Sequence, residues 1–356
     1  MIIVLKSYLD APKVIVGAGG AAWWILQGFT RNSIAIDGFV VTEEYGITET
    51  CGYPVFSPSN WSELPNPIGE YVAIVGIMNP DVDVELITSK LKDLGWSNVI
   101  TFSQFAARLL EESGINCAML DPKIVLKSEE ALEEVRDMLE DSESKECLAH
   151  LISYIQNFAD NVLGIFPHPY FVSDLPRWNS RLRILDCGAF DGDTVKQAVQ
   201  HGYEIEASVC FEPDKSNYAK LVANTPASEK RLNLPVAVGD ETKTLQFSAQ
   251  SSSGSQVIKE SGTPVQCISI DEMLFNWSPN LIKMDIEGSE FSALLGAEET
   301  IKRFRPNMAI SVYHKASDIT QIPLWIKSIL GSDVRYYLRR HSRTVADTVL
   351  YVYPKK

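Results

Sequence analysis

The chain has 356 residues, against a usual domain size of roughly 100–200 residues, so two domains, or one with a sizeable appendage, are expected. Hydrophobic residues make up 45% and charged residues 22%, with a mean hydropathy of −0.03, a globular composition that argues against disorder, collagen and a membrane protein. The 32 basic and 46 acidic residues give a net charge of −14, which argues against sequence-independent nucleic-acid binding, where Lys and Arg must neutralise phosphates.

The apolar start Met1-Ile2-Ile3-Val4-Leu5 is cut short by Lys6 and Asp10 and has no small-residue cleavage site, so no targeting signal is expected. The apolar stretch from Val14 to Leu26 is broken by Gly17-Ala18-Gly19-Gly20 and is too short to span a bilayer. Cys51, Cys117, Cys147, Cys187, Cys210 and Cys267 form no CxxC pair, which speaks against structural zinc and a disulfide framework. Reduced thiols, a cytoplasmic location and no membrane span are the expectation.

Residues 11 to about 108 alternate strand-like and helix-like segments. Lys13 to Val16 is a short apolar run ending in a glycine turn, and Ala21 to Phe29 reads as a helix. Ala35–Val41, Tyr71–Val75 and Asn98–Phe102 read as further strands. A helix is predicted over Asp81 to Leu94, introduced by Asn79-Pro80-Asp81. This is the βαβ rhythm of a parallel sheet with flanking helices. From 109 to 180 the rhythm changes: Ser128–Leu139 and Ser144–Phe158 have helical periodicity and read as a connector.

A second βα series starts at Arg181. Its strand-like runs are 182–185, 207–211, 233–238, 281–284 and 308–312, with helix-like segments at 194–200, 217–224 and 291–303. Val334–Leu338 and Thr348–Tyr353 read as an antiparallel hairpin at the sheet edge. The Ser251-Ser252-Ser253-Gly254-Ser255 tract reads as a flexible loop or lid. The domain reading is therefore 1–108, Rossmann-like; 109–180, helical connector; and 181–356, a second α/β domain.

The strongest chemical signal is Leu185-Asp186-Cys187-Gly188-Ala189-Phe190-Asp191-Gly192-Asp193-Thr194, a strand end, a glycine turn and a helix start. It carries three acids and no lysine, so a phosphate would be repelled and a cationic ligand favoured. The next strand ends in Cys210-Phe211-Glu212-Pro213, with a carboxylate where ribose hydroxyls would sit. The combination suits S-adenosylmethionine, which has a sulfonium and no phosphate.

Leu185–Thr194, Phe211-Glu212-Pro213, Ser269-Ile270-Asp271, Ile282–Glu290, Ala309–Lys315 and Tyr337–Ser342 resemble, in order, the motifs of the FkbM family of class I methyltransferases. The resemblance covers about half of the chain, from roughly Tyr170 to the end. It implies a seven-stranded Rossmann-like sheet and S-adenosylmethionine-dependent O-methylation of a sugar, glycan precursor or related natural product. It also implies that Asp186, Gly188, Ala189 and Gly192 line the methionine part of the cofactor, that Glu212 and Pro213 hold the ribose, and that Asp285 faces the methyl-donor end. Asp240 is a candidate adenine contact, although Gly239-Asp240 equally reads as a turn.

His314, ending an apolar strand beside Tyr313, is a candidate general base for a displacement that needs proximity and proton removal, with a structural role as the alternative. Lys283 could pair with an acid or polarise the substrate. Glu287 is a further catalytic candidate, and for Glu290 the favoured reading is an acid at a helix N-terminus. The acids and His314 could hold a divalent metal, but the spacing matches no specific motif and no metal is assigned. Tyr170 and Phe171 are candidates for a lid or for connector packing.

At the N-terminus, Val16-Gly17-Ala18-Gly19-Gly20-Ala21-Ala22 fits G-x-G-x-x-A, and Cys51–Pro58 resembles a segment in the nucleotide-sugar-binding halves of bacterial sugar acyltransferases. The turn could hold a nucleotide-sugar or serve packing only, and Trp23 and Trp24 beside it read as packing residues. Two alternatives accompany the methyltransferase reading: an NAD(P)-dependent oxidoreductase using the N-terminal turn, and a nucleotide-sugar-binding module with an inactive methyltransferase domain. A small-molecule or glycan acceptor is the expected partner, and a second copy of the chain is a further candidate.

Overall fold

The computed structural model describes residues 11–31, 33–44, 46–77, 82–101, 129–157, 169–227, 229–248, 256–258, 263–274, 276–342 and 347–355. The chain divides into two compact units, Met1–Leu120 with Ser153–Val162, and Asp121–Ile152 with Leu163–Lys356. No described helix is long and apolar enough to cross a membrane.

In the first unit, strands β1 (Lys13–Val16), β2 (Gly38–Val40), β3 (Glu49–Thr50), β4 (Tyr53–Phe56), β5 (Val72–Val75) and β6 (Asn98–Thr101) form a sheet in the order β3-β4-β2-β1-β5-β6. All neighbours are parallel except the short β3–β4 pair. The central strands β1 and β5 are buried throughout, which explains their unbroken apolar sequences. One face packs a core in which Trp96 contacts Trp61 and Tyr71. The helix Val84–Asp93 starts later than expected because Asp83 is its cap, accepting from the Leu86 N–H at 3.0 Å. The Asn79-Pro80-Asp81 signal lies outside the described residues, as does the 251–255 tract.

The second unit contains β7 (Arg181–Cys187), β8 (Glu204–Phe211), β9 (Arg231–Leu234), β10 (Ala237–Val238), β11 (Lys243–Ser248), β12 (Gln256–Ile258), β13 (Thr263–Ile268), β14 (Leu281–Met284), β15 (Asn307–Ser311), β16 (Val334–Arg340) and β17 (Thr348–Pro354). Seven of these form the sheet β16-β17-β15-β14-β7-β8-β9. The strands from β9 to β15 run parallel, and β17 is antiparallel to both β15 and β16. The chain runs from β7 outward to β8 and β9, then returns to β14 on the other side of β7. A crevice therefore opens beyond the carboxyl ends of β7 and β14, the switch point at which open α/β sheets bind ligands.

The α/β class with parallel sheets agrees with the sequence expectation, including the seven-stranded sheet and its edge hairpin. Two local readings are corrected. The run 233–238 is two strands, because Pro235 has no N–H for the ladder; β9 closes the large sheet and β10 pairs with β13 in a separate sheet ordered β10-β13-β11-β12. The segment 291–303 is two helices, Glu290–Leu295 and Glu298–Phe304, interrupted at Gly296-Ala297. The helices Glu129–Met138 and Ser142–Asn157 are joined by a segment that lies along the sheet edge, where Leu139 bridges Tyr336 and Glu140 N donates to Tyr336 O at 3.0 Å.

Candidate active site

The crevice holds a cavity of about 240 Å³ at the ends of β7, β8, β10 and β14. One wall is apolar, with Phe211 and Val236–Val238. The other carries Lys283, Asp285 and Glu287, and Glu212 and Asp193 also face the space. The turns after β7 and β14 touch at its base. A Cβ on Gly188, whose φ is +78°, would stand 1.9 Å from the Asp285 carbonyl oxygen, so only glycine permits this approach.

Lys283 on this wall faces Asp186 behind it in the β7–β14 register and pairs with it at 3.2 Å, both buried. Lys283 Nζ also donates to the Gly188 carbonyl at 2.5 Å. Burial lowers the pKa of this ammonium, but Asp186, Asp285 and Asp193 outweigh it and hold the pKa above its usual range. Lys283 is therefore a fixed positive charge in an acidic site.

Glu212 ends β8 and is fastened at both oxygens, accepting from Phe190 N and Asp214 N, each at 2.9 Å. Burial pushes its carboxyl up to about 7, against the pull of those two N–H groups toward the charged form. Asp214 in turn caps the helix Lys215–Ala223 through Ser216 N and Asn217 N. The sequence Glu212-Pro213-Asp214 thus sets one carboxylate beside the cavity and spends the other on the fold.

Beyond β14, Glu287 has a left-handed backbone (φ +56°) followed by Gly288 at +92°, a strained turn that holds the Glu287 side chain at the rim. Asp285 Oδ2 accepts from Tyr170 Oη at 2.8 Å, and Oδ1 from Tyr313 Oη at 3.3 Å. Burial raises the Asp285 pKa, but His314, Lys283 and Tyr170 hold it below the usual carboxylate range. Burial pushes Glu287 up to about 7, against the pull of His314. Glu290, fully buried, reaches back to Ile286 N at 2.7 Å and lies 2.9 Å from His314 Nδ1.

The structure brings Gly188, Glu212, Pro213, Lys283, Asp285 and Glu287 onto one cavity wall or another. Asp186, Ala189, His314 and Gly192 are buried and do not line it, Gly192 lying against Arg231 and Leu221. Asp240 lies away from the cavity, paired with Lys243 at 3.1 Å and bonded to Ser292. Burial lowers the His314 pKa, but Glu290, Asp285 and Glu287 together raise it to about 10. Tyr170 joins the site as a wall residue with a left-handed backbone (φ +74°), its N–H bonded to Tyr351 Oη and its carbonyl to Trp178 Nε1. Phe171 belongs to the core, against His201 and Tyr203. No local motif marks Tyr170, whose role arises from a contact 115 residues away in sequence.

In the first unit, Gly17 turns the chain (φ +94°) and its N–H donates to Val40 O at 2.8 Å. The nearby acids are engaged: Asp37 accepts from Tyr71 Oη at 2.6 Å and Glu44 from Ser59 N at 3.0 Å.

A parallel sheet with a switch-point crevice, a tight glycine turn after its first strand and a carboxylate ending its second defines a Rossmann-like α/β unit. Residues 186–341 match the model of the methyltransferase FkbM domain. The match leaves out residues 1–185 and gives no support to a sugar-acyltransferase likeness there.

The whole chain is similar in fold to a crystal structure of methyltransferase FkbM from Methylobacillus flagellatus KT, with a TM-score of 0.78 and 22% identity over 98% of this chain and 93% of that one. A fibrillarin pre-rRNA processing protein from Methanococcus jannaschii is far more distant, with a TM-score of 0.31 and 14% identity over 50% of this chain and 68% of that one. A SAM-dependent methyltransferase from Leishmania major has a TM-score of 0.29 and 14% identity over 67% and 86%. No curated protein matches the sequence.

Proposed function

We propose that the second unit transfers a methyl group from S-adenosylmethionine to a hydroxyl oxygen of a sugar, glycan precursor or related natural product. The observation that carries the cofactor is the donor set around one cavity: a glycine turn that leaves no room for a side chain, Glu212 beside it, and an excess of carboxylates over Lys283, the one cation among the described lining residues, which is paired with Asp186. Both Glu212 oxygens keep lone pairs beyond those used by Phe190 N and Asp214 N, which suits two ribose hydroxyls. When bound, S-adenosylmethionine supplies an electrophilic methyl group on a positively charged sulfur.

The chain's own residues do the rest. Asp285 and Asp193 favour a positive centre in the cavity. Asp186 is a positioning residue, acting through Lys283, which ties the two turns together. Glu287, at the rim and on the cavity wall, takes the proton of the acceptor hydroxyl. With the cofactor held there, the hydroxyl oxygen would take the methyl group, the electron pair of the S–C bond staying on sulfur. Holding the acceptor in line supplies most of the acceleration.

Calorimetric titration of the full chain tests this reading. One equivalent of S-adenosylmethionine is expected to bind, and Glu212→Ala to weaken it about tenfold or more, ~1.4 kcal/mol. Absence of binding, or binding indifferent to Glu212→Ala, overturns the proposal. NAD(H) and UDP-sugars are the competing titrants for the N-terminal turn, and product mass spectrometry on candidate glycosides identifies the acceptor.

A further inference from the structure

We propose that Asp285, Glu290 and His314 bind one divalent transition-metal cation, of the Zn2+ or Mn2+ class, at the base of the cavity. The three residues come from separate places: the end of β14, the first turn of the helix Glu290–Leu295, and the segment following β15. Each offers one ligand atom, and these atoms lie within 4.8 Å of one another. Two ligands of one such cation can be at most about 4.4 Å apart, twice a bond of about 2.2 Å, so side-chain shifts of a few tenths of an ångström close the site.

The bonding left unmet points the same way. His314 is only 8% exposed and is held by ion pairs alone, its Nδ1 2.9 Å from Glu290 Oε1 with neither ring nitrogen aligned for a hydrogen bond; Glu290 is 0% exposed, and its Oε2 has no partner. Buried polar atoms are nearly always satisfied, and the lone Glu290 Oε2 beside an imidazole held only by ion pairs leaves a place for a ligand. His314 Nε2 stands 3.6 Å from Asp285 Oδ1 and 3.5 Å from Glu287 Oε2. These gaps are too long for hydrogen bonds and close to the ~3.4 Å between neighbouring ligands of a tetrahedral ion with bonds of about 2.1 Å.

The outer contacts have the form that metal ligands require. Ile286 N holds Glu290 Oε1 and leaves Oε2 free; Tyr170 Oη holds Asp285 Oδ2 and leaves Oδ1 turned toward His314. Such partners fix the orientation of the ligating atoms. One imidazole nitrogen with carboxylate oxygens suits Zn2+ or Mn2+ better than Ca2+, which takes oxygen alone. Three protein ligands leave a coordination position, and Asp285 is the ligand that lines the cavity. A cation there would bind the acceptor oxygen and draw charge from it. That role rests on the methyltransferase reading; the binding itself does not.

The test uses the full chain, stripped with a chelator and titrated with Mn2+ alone, free Mn2+ being read by electron paramagnetic resonance, and with Zn2+ in competition with a chromophoric chelator. One equivalent is expected to bind, and His314→Ala and Glu290→Gln each to weaken it at least tenfold, with folding checked by circular dichroism. Asp285→Asn reads the same site should either variant fail to fold. No stoichiometric binding, or binding that survives all three substitutions, overturns the proposal and leaves a plain imidazolium–carboxylate cluster. S-adenosylmethionine binding without metal binding sinks this inference alone, whereas metal binding without S-adenosylmethionine binding sinks the methyltransferase reading and keeps the site.

Discussion

At Glu212 desolvation and two backbone N–H donors pull in opposite directions, and desolvation wins, carrying the carboxyl from 4.5 to about 7. A folded-state value above the unfolded one means a contribution to stability that is complete below about pH 4.5 and lost as the pH rises through about 7. Each pKa unit is worth about 1.4 kcal/mol, so Glu212→Gln is expected to gain on the natural chain by about 3 kcal/mol between pH 4.5 and 8 in urea unfolding. Parallel stability curves would refute this. Ribose hydroxyls donating to Glu212 favour its charged form, so the same residue should make cofactor affinity rise through pH 7.

Among the elements, β16 depends on the segment that joins the two helices of the expected connector. Arg339, 1% exposed, forms ion pairs with Asp141 at 2.6 Å and Asp174 at 2.9 Å and donates to Ser144 Oγ, while Leu338 N donates to the same hydroxyl. Lysine cannot reproduce this forked set of bonds, so Arg339→Lys is expected to destabilise the protein by about 2–3 kcal/mol. Thermal unfolding measures the loss, and faster amide exchange in β16 locates it. An unchanged melting temperature would remove the cluster's structural role. The same arrangement shows where sequence reading stops. Strands, the hairpin and the glycine turn were legible because periodicity and turn residues are local. Arg339 meeting Asp141, Tyr170 meeting Asp285, and His314 falling behind the wall depend on which strands become neighbours, and no short-range pattern encodes that. The break at Pro235 had a local signal that the apolar run around it obscured.

Over the whole molecule, the charge of −14 has two kinds of member. Some carboxylates lie on exposed helices, such as Glu129, Glu130 and Glu133; others, Glu212, Asp285 and Glu287, gather at one crevice. Both kinds repel phosphate backbones, so no retention of DNA or RNA is expected in a filter assay at about 0.1 M salt, and salt-sensitive binding would overturn that expectation. The pairing of Asp186 with Lys283 has a bearing on descent as well as on chemistry. Exchanging either partner alone would leave a buried charge between β7 and β14 without its nearest counter-ion, so the two positions are bound to one mutational fate. Across relatives they should therefore covary, and the correlation would record the adjacency of β7 and β14 in sequences whose structures no one has seen.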